Sequence, residues 1–432
     1  MWHKSPHPAF HPLPHGPDTF SALFVAALLA TLFIKVGLML RQRHHVRARR
    51  DQVPAPFADS ISVESHRKAA DYTCARMALG VVDATVGAAF VLALTLGGGL
   101  QAMHRALAGW FDPVGLAHGI ALLAALGVLG WLIEVPFALY RTFVIEKRFG
   151  FNRMTPALYA ADVAREALLA ALIGLPVLAA VLWLMGAMGE QWWLWVWLFW
   201  FAFNLLGLFV WPTFIAPLFN KFTPLADEAL RKRVENLLAR CGFRSRELFV
   251  MDGSRRSAHG NAYFTGFGAA KRIVFFDTLL DKLSPAEVEA VLAHELGHFH
   301  HRHIWKRLAV IAATSLALLW LLAWLMEQSW FFAGLGVDDG AGSTAAALAL
   351  FALVLPVFAF PLGPLMSHWS RVHEFQADAY AARQASAADL AAALVKLYRD
   401  NASTLTPDPL YSRFFDSHPP ASLRVSRLRA GT

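Results

Sequence analysis

Residues 284–298 read Ser-Pro-Ala-Glu-Val-Glu-Ala-Val-Leu-Ala-His-Glu-Leu-Gly-His. The stretch opens as helices open. Ser284 suits an N-cap, Pro285 the first helical position, and Glu287, three residues after the serine, completes a capping box. A helix continued through His294 and His298 sets two histidines four residues apart, so both rings lie on one face. It runs directly on toward an apolar stretch near 305–326, about long enough to cross a bilayer.

Six more stretches qualify as spans, near 19–40, 78–100, 114–144, 167–188, 191–215 and 345–369. The composition agrees: 432 residues, 56% hydrophobic and 16% charged, with mean hydropathy +0.43. Soluble domains carry about 25% charged residues, so the chain falls in the membrane class. The first span follows a His/Pro-rich tail and shows no small-residue cleavage pattern, so it is read as retained. Pro136, Pro176 and Pro356 are expected to bend their helices. Cys74 and Cys241 form no CxxC and support neither a disulfide framework nor a thiolate metal site.

The net charge of +8 sits mostly in short loops beside spans, where it sets topology. No basic stripe with interleaved aromatics occurs, which excludes nucleic acid as a partner. The first loop carries Arg41, Arg43, Arg47, Arg49, Arg50, Arg67, Lys68 and Arg76, and the third Lys147, Arg148, Arg153 and Arg165. The opposite side has Lys4 and Arg105, and a last loop with Asp338 and Asp339. The bias puts the N-terminus outside and residues 216–303 and the C-terminal tail in the cytosol.

The expected organisation is therefore a membrane region of five spans (1–215), a cytosolic α+β region ending in the His294–His298 helix (216–303), spans six and seven (304–370), and a C-terminal cytosolic region (371–432). Within 216–303, Ala226–Cys241 has helical periodicity, with Leu230, Val234 and Leu237 on one face. Residues 247–252, 262–267 and 272–277 read as strands, and Gly266 and Gly268 favour a turn.

His294, Glu295 and His298 form H-E-x-x-H, the pattern of zinc peptidases. Both histidines can ligate one ion. Zinc supplies Lewis acidity and lowers the pKa of water, and Glu295 takes the proton from that water. A metzincin would need Gly and His at positions that here hold His301 and Ile304, so that subclass fails. His300, His301 and His303 are read as interfacial residues or substrate contacts. A two-histidine catalytic zinc usually adds a carboxylate. Glu374, in Ser370-Arg371-Val372-His373-Glu374-Phe375-Gln376-Ala377-Asp378, is the candidate, brought back to the catalytic helix by antiparallel packing of spans six and seven. Asp378, four residues on, suits a hydrogen-bond acceptor for a ligand histidine. The competing reading is a solvated acidic pair on a surface helix.

The chain resembles the type I CAAX prenyl proteases, the Ste24-type integral-membrane zinc proteases, in particular bacterial members. The resemblance spans nearly the whole chain, through Glu146-Lys147-Arg148-Phe149-Gly150-Phe151-Asn152, Phe219–Leu225, Asn261-Ala262-Tyr263-Phe264, residues 272–280, His294–His298, Glu374–Asp378 and Ser417-His418-Pro419. It implies a mainly α, polytopic fold whose seven helices form a barrel around a hydrated chamber, with a gluzincin-like α+β region. It implies one zinc ion per chain and a peptide or protein substrate with a prenylated CAAX-type end. It also implies that Asn261 and Ala262 lie on an edge strand that pairs with substrate, and that His418 binds the substrate carbonyl or developing oxyanion. The membrane would be the inner membrane of a bacterium or the ER membrane of a eukaryote.

Asp83, His118, Glu134 and Asn204 lie in or near spans, fitting either a chamber lining or interhelical hydrogen bonds. Two other functions fit less of the chain. A general membrane quality-control protease shares the zinc pattern without the long N-terminal half. A transporter with a structural metal site would need a fourth protein ligand.

Overall fold

The computed structural model describes residues 16–243, 247–265, 272–337 and 343–431. Lys4, Gly266, Phe267, Gly268, Asp338 and Asp339 lie outside them. Among the described residues, seven helices are long and apolar enough to cross a membrane: Pro17–Ala48, Val63–Leu94, Leu116–Glu146, Pro156–Ala187, Gly189–Phe219, His303–Met326 and Thr344–Gln384. Each overlaps an expected span.

The second ends at Leu94 rather than near 100. Its hydropathy runs on, but the chain turns at Gly98, which takes φ 72, and a separate helix Gly99–Ala108 follows. The first two helices also run well past their apolar stretches. Arg41, Arg43 and Arg47 ride on the end of one, and Arg67, Lys68 and Arg76 on the start of the other. Arg50 tied to Asp71 at 2.8 Å and Arg67 to Asp51 at 2.6 Å hold this helical hairpin together.

The seven helices close a ring. The first packs on the second and seventh, the seventh on the sixth, the sixth on the fifth, the fifth on the fourth and the fourth on the third, whose end returns to the second. Only 6–17% of the apolar windows of spans two to six are buried, against 50% for the seventh. Most residues of spans two to six are therefore not fully packed against other parts of the protein. One end of the ring is filled by an apolar core that includes Phe24, Leu100, Leu122, Leu182, Phe331 and Leu350.

Proline leaves its mark where the ladder loses a donor. A π turn at Ala170–Gly174 precedes Pro176, another at Trp211–Ile215 contains Pro212, and a 3-10 turn at Phe360–Leu362 contains Pro361. Pro136 and Pro356 sit inside helices. Of the polar groups in the spans, His118 is buried and its Nε2 lies 3.1 Å from the His104 carbonyl, an interhelical bond. Glu134 pairs with Arg141 at 3.6 Å, and Asn204 donates to the Trp200 carbonyl of its own helix.

The region between the fifth and sixth spans holds a four-stranded sheet in the order β1-β2-β4-β3. β1 (Phe222–Pro224) runs antiparallel to β2 (Glu247–Met251), β2 parallel to β4 (Arg272–Phe276), and β3 (Ala262–Thr265) antiparallel to β4. β3 is therefore an edge. The sequence reading did not include β1, which at three residues shows no alternation. Helix Glu228–Arg240, capped by Asp227, buries Leu230, Val234 and Leu237 against Phe275, Leu292, Leu296 and Leu394. The helix expected to run directly into the sixth span instead stops at His300. Arg302 takes φ 55, and the chain restarts at His303. The left-handed residue turns the chain and brings His303 back over the preceding helix.

Candidate active site

The capping box forms as its residues predict. Ser284 Oγ accepts from Glu287 N–H at 3.3 Å, and the Glu287 carboxylate accepts from Ser284 N–H at 2.7 Å. From this start the helix Pro285–His300 packs along the end of the seventh span. Gly297 permits the approach, because a Cβ there would stand 2.8 Å from Ala377 Cα. That closeness sets His294 and His298 against Glu374, which the seventh span carries three residues before Ala377.

Ligand atoms of His294, His298 and Glu374 all lie within 4.8 Å of one another. The two Nε2 atoms face each other at 3.3 Å. His294 Nε2 is 3.4 Å from Glu374 Oε2, and His298 Nε2 is 3.5 Å from Glu374 Oε1. Glu374 Oε2 is buried and accepts no hydrogen bond among the described residues. Two converging imidazole nitrogens and a buried, unsatisfied carboxylate oxygen are a donor set that fits a cation, and the mixed N/O chemistry suits zinc.

The groups behind these atoms are in place as well. Asp378 Oδ1 lies 2.8 Å from His294 Nδ1, so that ring's Nε2 is free to ligate a cation. Arg424 in turn grips Asp378 with both ends of its fork, at 2.6 and 2.8 Å, and reaches within 3.7 Å of Glu374. Without a metal, burial works against a charged His294, but the Asp378 and Glu374 carboxylates outweigh it and lift its pKa to about 9. Burial and then the His294 charge push His298 down to about 3, so its ring is neutral. Burial raises the Glu295 carboxyl above its usual range. Glu295 follows His294 at the same cavity wall, and His418 Nε2 comes within 3.5 Å of Glu374 from the opposite side. Asn261 and Ala262 enter β3 at this cavity.

Three participants escaped the sequence reading. Arg424 falls on the buried face of helix Ala421–Arg429, beside Ala421, Val425 and Leu428. An arginine on such a face signals a buried ion pair, but nothing in the sequence names its partner. His303 was read as an interfacial residue or substrate contact. It is instead buried, 3.0 Å from His298 and 2.8 Å from Gln376, and nothing in the sequence signals the turn at Arg302 that puts it there. Asn401, which holds the main chain of Gly260, had no signal either.

The fold and its chemistry define a membrane metalloendopeptidase. A family profile described as the CAAX prenyl protease N-terminal region, with five membrane helices, matches residues 42–221, and one described as peptidase family M48 matches residues 224–432. The chain is 39% identical over 324 residues to CAAX prenyl protease 1 homolog of Arabidopsis thaliana, covering 73% of each chain. It is 36% identical over 327 residues to CAAX prenyl protease 1 of Saccharomyces cerevisiae, covering 72% of each. The crystal structure of S. mikatae Ste24p superposes with a TM-score of 0.88 at 30% identity, covering 96% of this chain and 100% of that one. The chain belongs to peptidase family M48, in its CAAX prenyl protease branch.

Proposed function

We propose that this metalloendopeptidase uses one zinc ion, held by His294, His298 and Glu374, to cleave peptides near a prenylated CAAX-type C-terminus. The observation that carries the reading is that His294, Glu295, Glu374, His418, Asn261 and Ala262 line one cavity of about 530 Å³. When bound there, zinc supplies Lewis acidity and lowers the pKa of a water molecule.

The chain's own groups do the rest. Glu295 accepts the proton of the attacking water and passes it to the leaving amine. Asp378 orients His294. The free edge of β3 at Asn261 and Ala262 adds an extended substrate as a further strand. His418 donates to the oxygen on which negative charge develops. The basic first and third loops support a site on the cytosolic side and an N-terminus outside, in a bacterial inner membrane or an ER membrane.

The test is cleavage of one CAAX-type peptide, farnesylated and unprenylated, by purified protein, with a chelator control and Glu295→Ala. Chelator-sensitive cleavage favouring the farnesylated peptide is expected. E295A is expected to retain zinc and lose at least about 100-fold in rate. Equal cleavage of both peptides would move the function toward general peptide processing, and normal turnover by E295A would refute its role.

A further inference from the structure

The chain entering β3 is fastened from two sides. Asn401 ends the helix Ala387–Asp400, and the next residue, Ala402, is buried and takes φ 45. A residue with a Cβ adopts that left-handed conformation only where its surroundings hold it. So placed, the Asn401 side chain meets the main chain of Gly260 twice. Its Oδ1 accepts from Gly260 N–H at 3.1 Å, and its Nδ2 donates to the Gly260 carbonyl at 3.4 Å. A main-chain N–H only donates and a carbonyl only accepts, so the orientation of the amide is fixed. The same Oδ1 lies 3.3 Å from His259 Nδ1.

The second side is the membrane region. The His259 ring stacks on Phe151 with centroids 4.4 Å apart. Its Nε2 lies 3.5 Å from Glu146 at the end of the third span, and Tyr72 of the second span donates to the other oxygen of that carboxylate. Ala258 N–H donates to the Phe151 carbonyl at 3.1 Å. β3 begins two residues past Gly260 and, among the described residues, is paired to β4 on one edge only; Gly260, Asn261 and Asn401 line the cavity that holds Glu295.

We propose that Asn401 is a substrate-positioning residue: through Gly260 it sets where the free edge of β3 stands relative to the metal ligands, and so which peptide bond is presented for cleavage. The inference rests on the peptidase reading above. A strand-added substrate takes its register from the edge it joins, and a slip of one residue turns every side chain to the other face.

The test uses the full-length protein in detergent and a farnesylated CAAX-type peptide, with kcat, KM, zinc content and product masses measured. Asn401→Ala should retain zinc, raise KM about tenfold, the equivalent of one or two hydrogen bonds, and spread cleavage to neighbouring bonds. Asn401→Asp keeps the acceptor but loses the donor to Gly260, and should fall between. An asparagine needed only for folding would lower the amount of active enzyme without moving the cleavage site. Should N401A fail to fold, Asn401→Asp carries the same test, since it keeps the acceptor for Gly260 N–H and removes only the bond to the Gly260 carbonyl. Wild-type KM and a single cleavage site in the folded variants overturn the proposal. Absence of wild-type cleavage, or full turnover by E295A, would instead overturn the peptidase reading.

Discussion

His298 and His303 face each other through their Nδ1 atoms, 3.0 Å apart. One ring must supply a proton and the other a lone pair. The Gln376 carbonyl oxygen, 2.8 Å from His303 Nε2, can only accept, so His303 carries its proton there and its Nδ1 accepts from His298. His298 Nε2 is thereby left bare and turned toward Glu374. His373, stacked on His303 at 3.8 Å, holds the plane of the relay.

Breaking the relay should loosen the metal. His303→Leu and Gln376→Leu are each expected to weaken zinc binding about 10- to 100-fold. Gln376→Glu, which keeps an acceptor at that position, should hold zinc at least as tightly as the wild type. Competition against a graded chelator measures this directly. Wild-type zinc dissociation from H303L would show that His298 needs no help.

Gly297 lets the helix Pro285–His300 lie close against the seventh span. In Gly297→Ala the new methyl would meet Ala377 Cα at 2.8 Å and its carbonyl oxygen at 3.1 Å, and backbone cannot swing aside as a flexible side chain would. The catalytic helix must move off the seventh span, carrying His294 and His298 away from Glu374. A loss of about 1–3 kcal/mol in stability together with weakened zinc binding is expected. A thermal melt in detergent paired with metal analysis reads both, and an unchanged zinc affinity would mean the helices can part without opening the site.

How much of this was legible in advance depended on whether a signal was local. The capping box at Ser284, the spacing of His294 and His298, and the seven apolar stretches are written within one or a few helical turns, and the helices formed where those signals stood. The break at Arg302 is different. Nothing distinguishes an arginine that will adopt φ 55 from its neighbours, and the conformation is imposed by packing His303 behind His298. Arg424 and Asp378 stand 46 positions apart, and Asn401 and Gly260 141 apart. Such pairs are made by tertiary packing, and a periodicity reading has no access to them. The end of the second helix failed for a third reason, since hydropathy does not register the glycine turn at Gly98.

The Asp378–Arg424 pair predicts a characteristic non-additivity. Arg424→Met removes the two-pronged partner of the buried Asp378, leaving it only His294, and should cost about 3–5 kcal/mol. Asp378→Asn in turn leaves the buried guanidinium only Glu374, 3.7 Å away. The double variant removes both charges and should be less destabilised than the sum of the two, by more than about 0.5 kcal/mol. A double-mutant cycle on thermal stability supplies the number. Strict additivity would mean that the two side chains, although 2.6 Å apart, do not depend on each other.

Glu287 ties acid stability to the start of the catalytic helix. Burial favours its neutral form, but Lys396, 2.7 Å away, and the Ser284 N–H outweigh burial and hold the carboxyl below its usual range. A depressed folded-state pKa means that the unfolded chain binds the proton first. The contribution is therefore complete above the ordinary glutamate pKa and is lost as pH falls through the lower folded value. Glu287→Gln removes the titration. The variant should be less stable than the wild type by about 1 kcal/mol, the typical worth of a cap, at pH 7, and the gap should close on acidification below about pH 4. Acid also strips metal from both proteins alike, so the difference between the two unfolding curves is the quantity to follow. A gap that stays constant down to pH 3 would show that the Glu287 charge contributes nothing, and that the capping hydrogen bonds alone secure the helix.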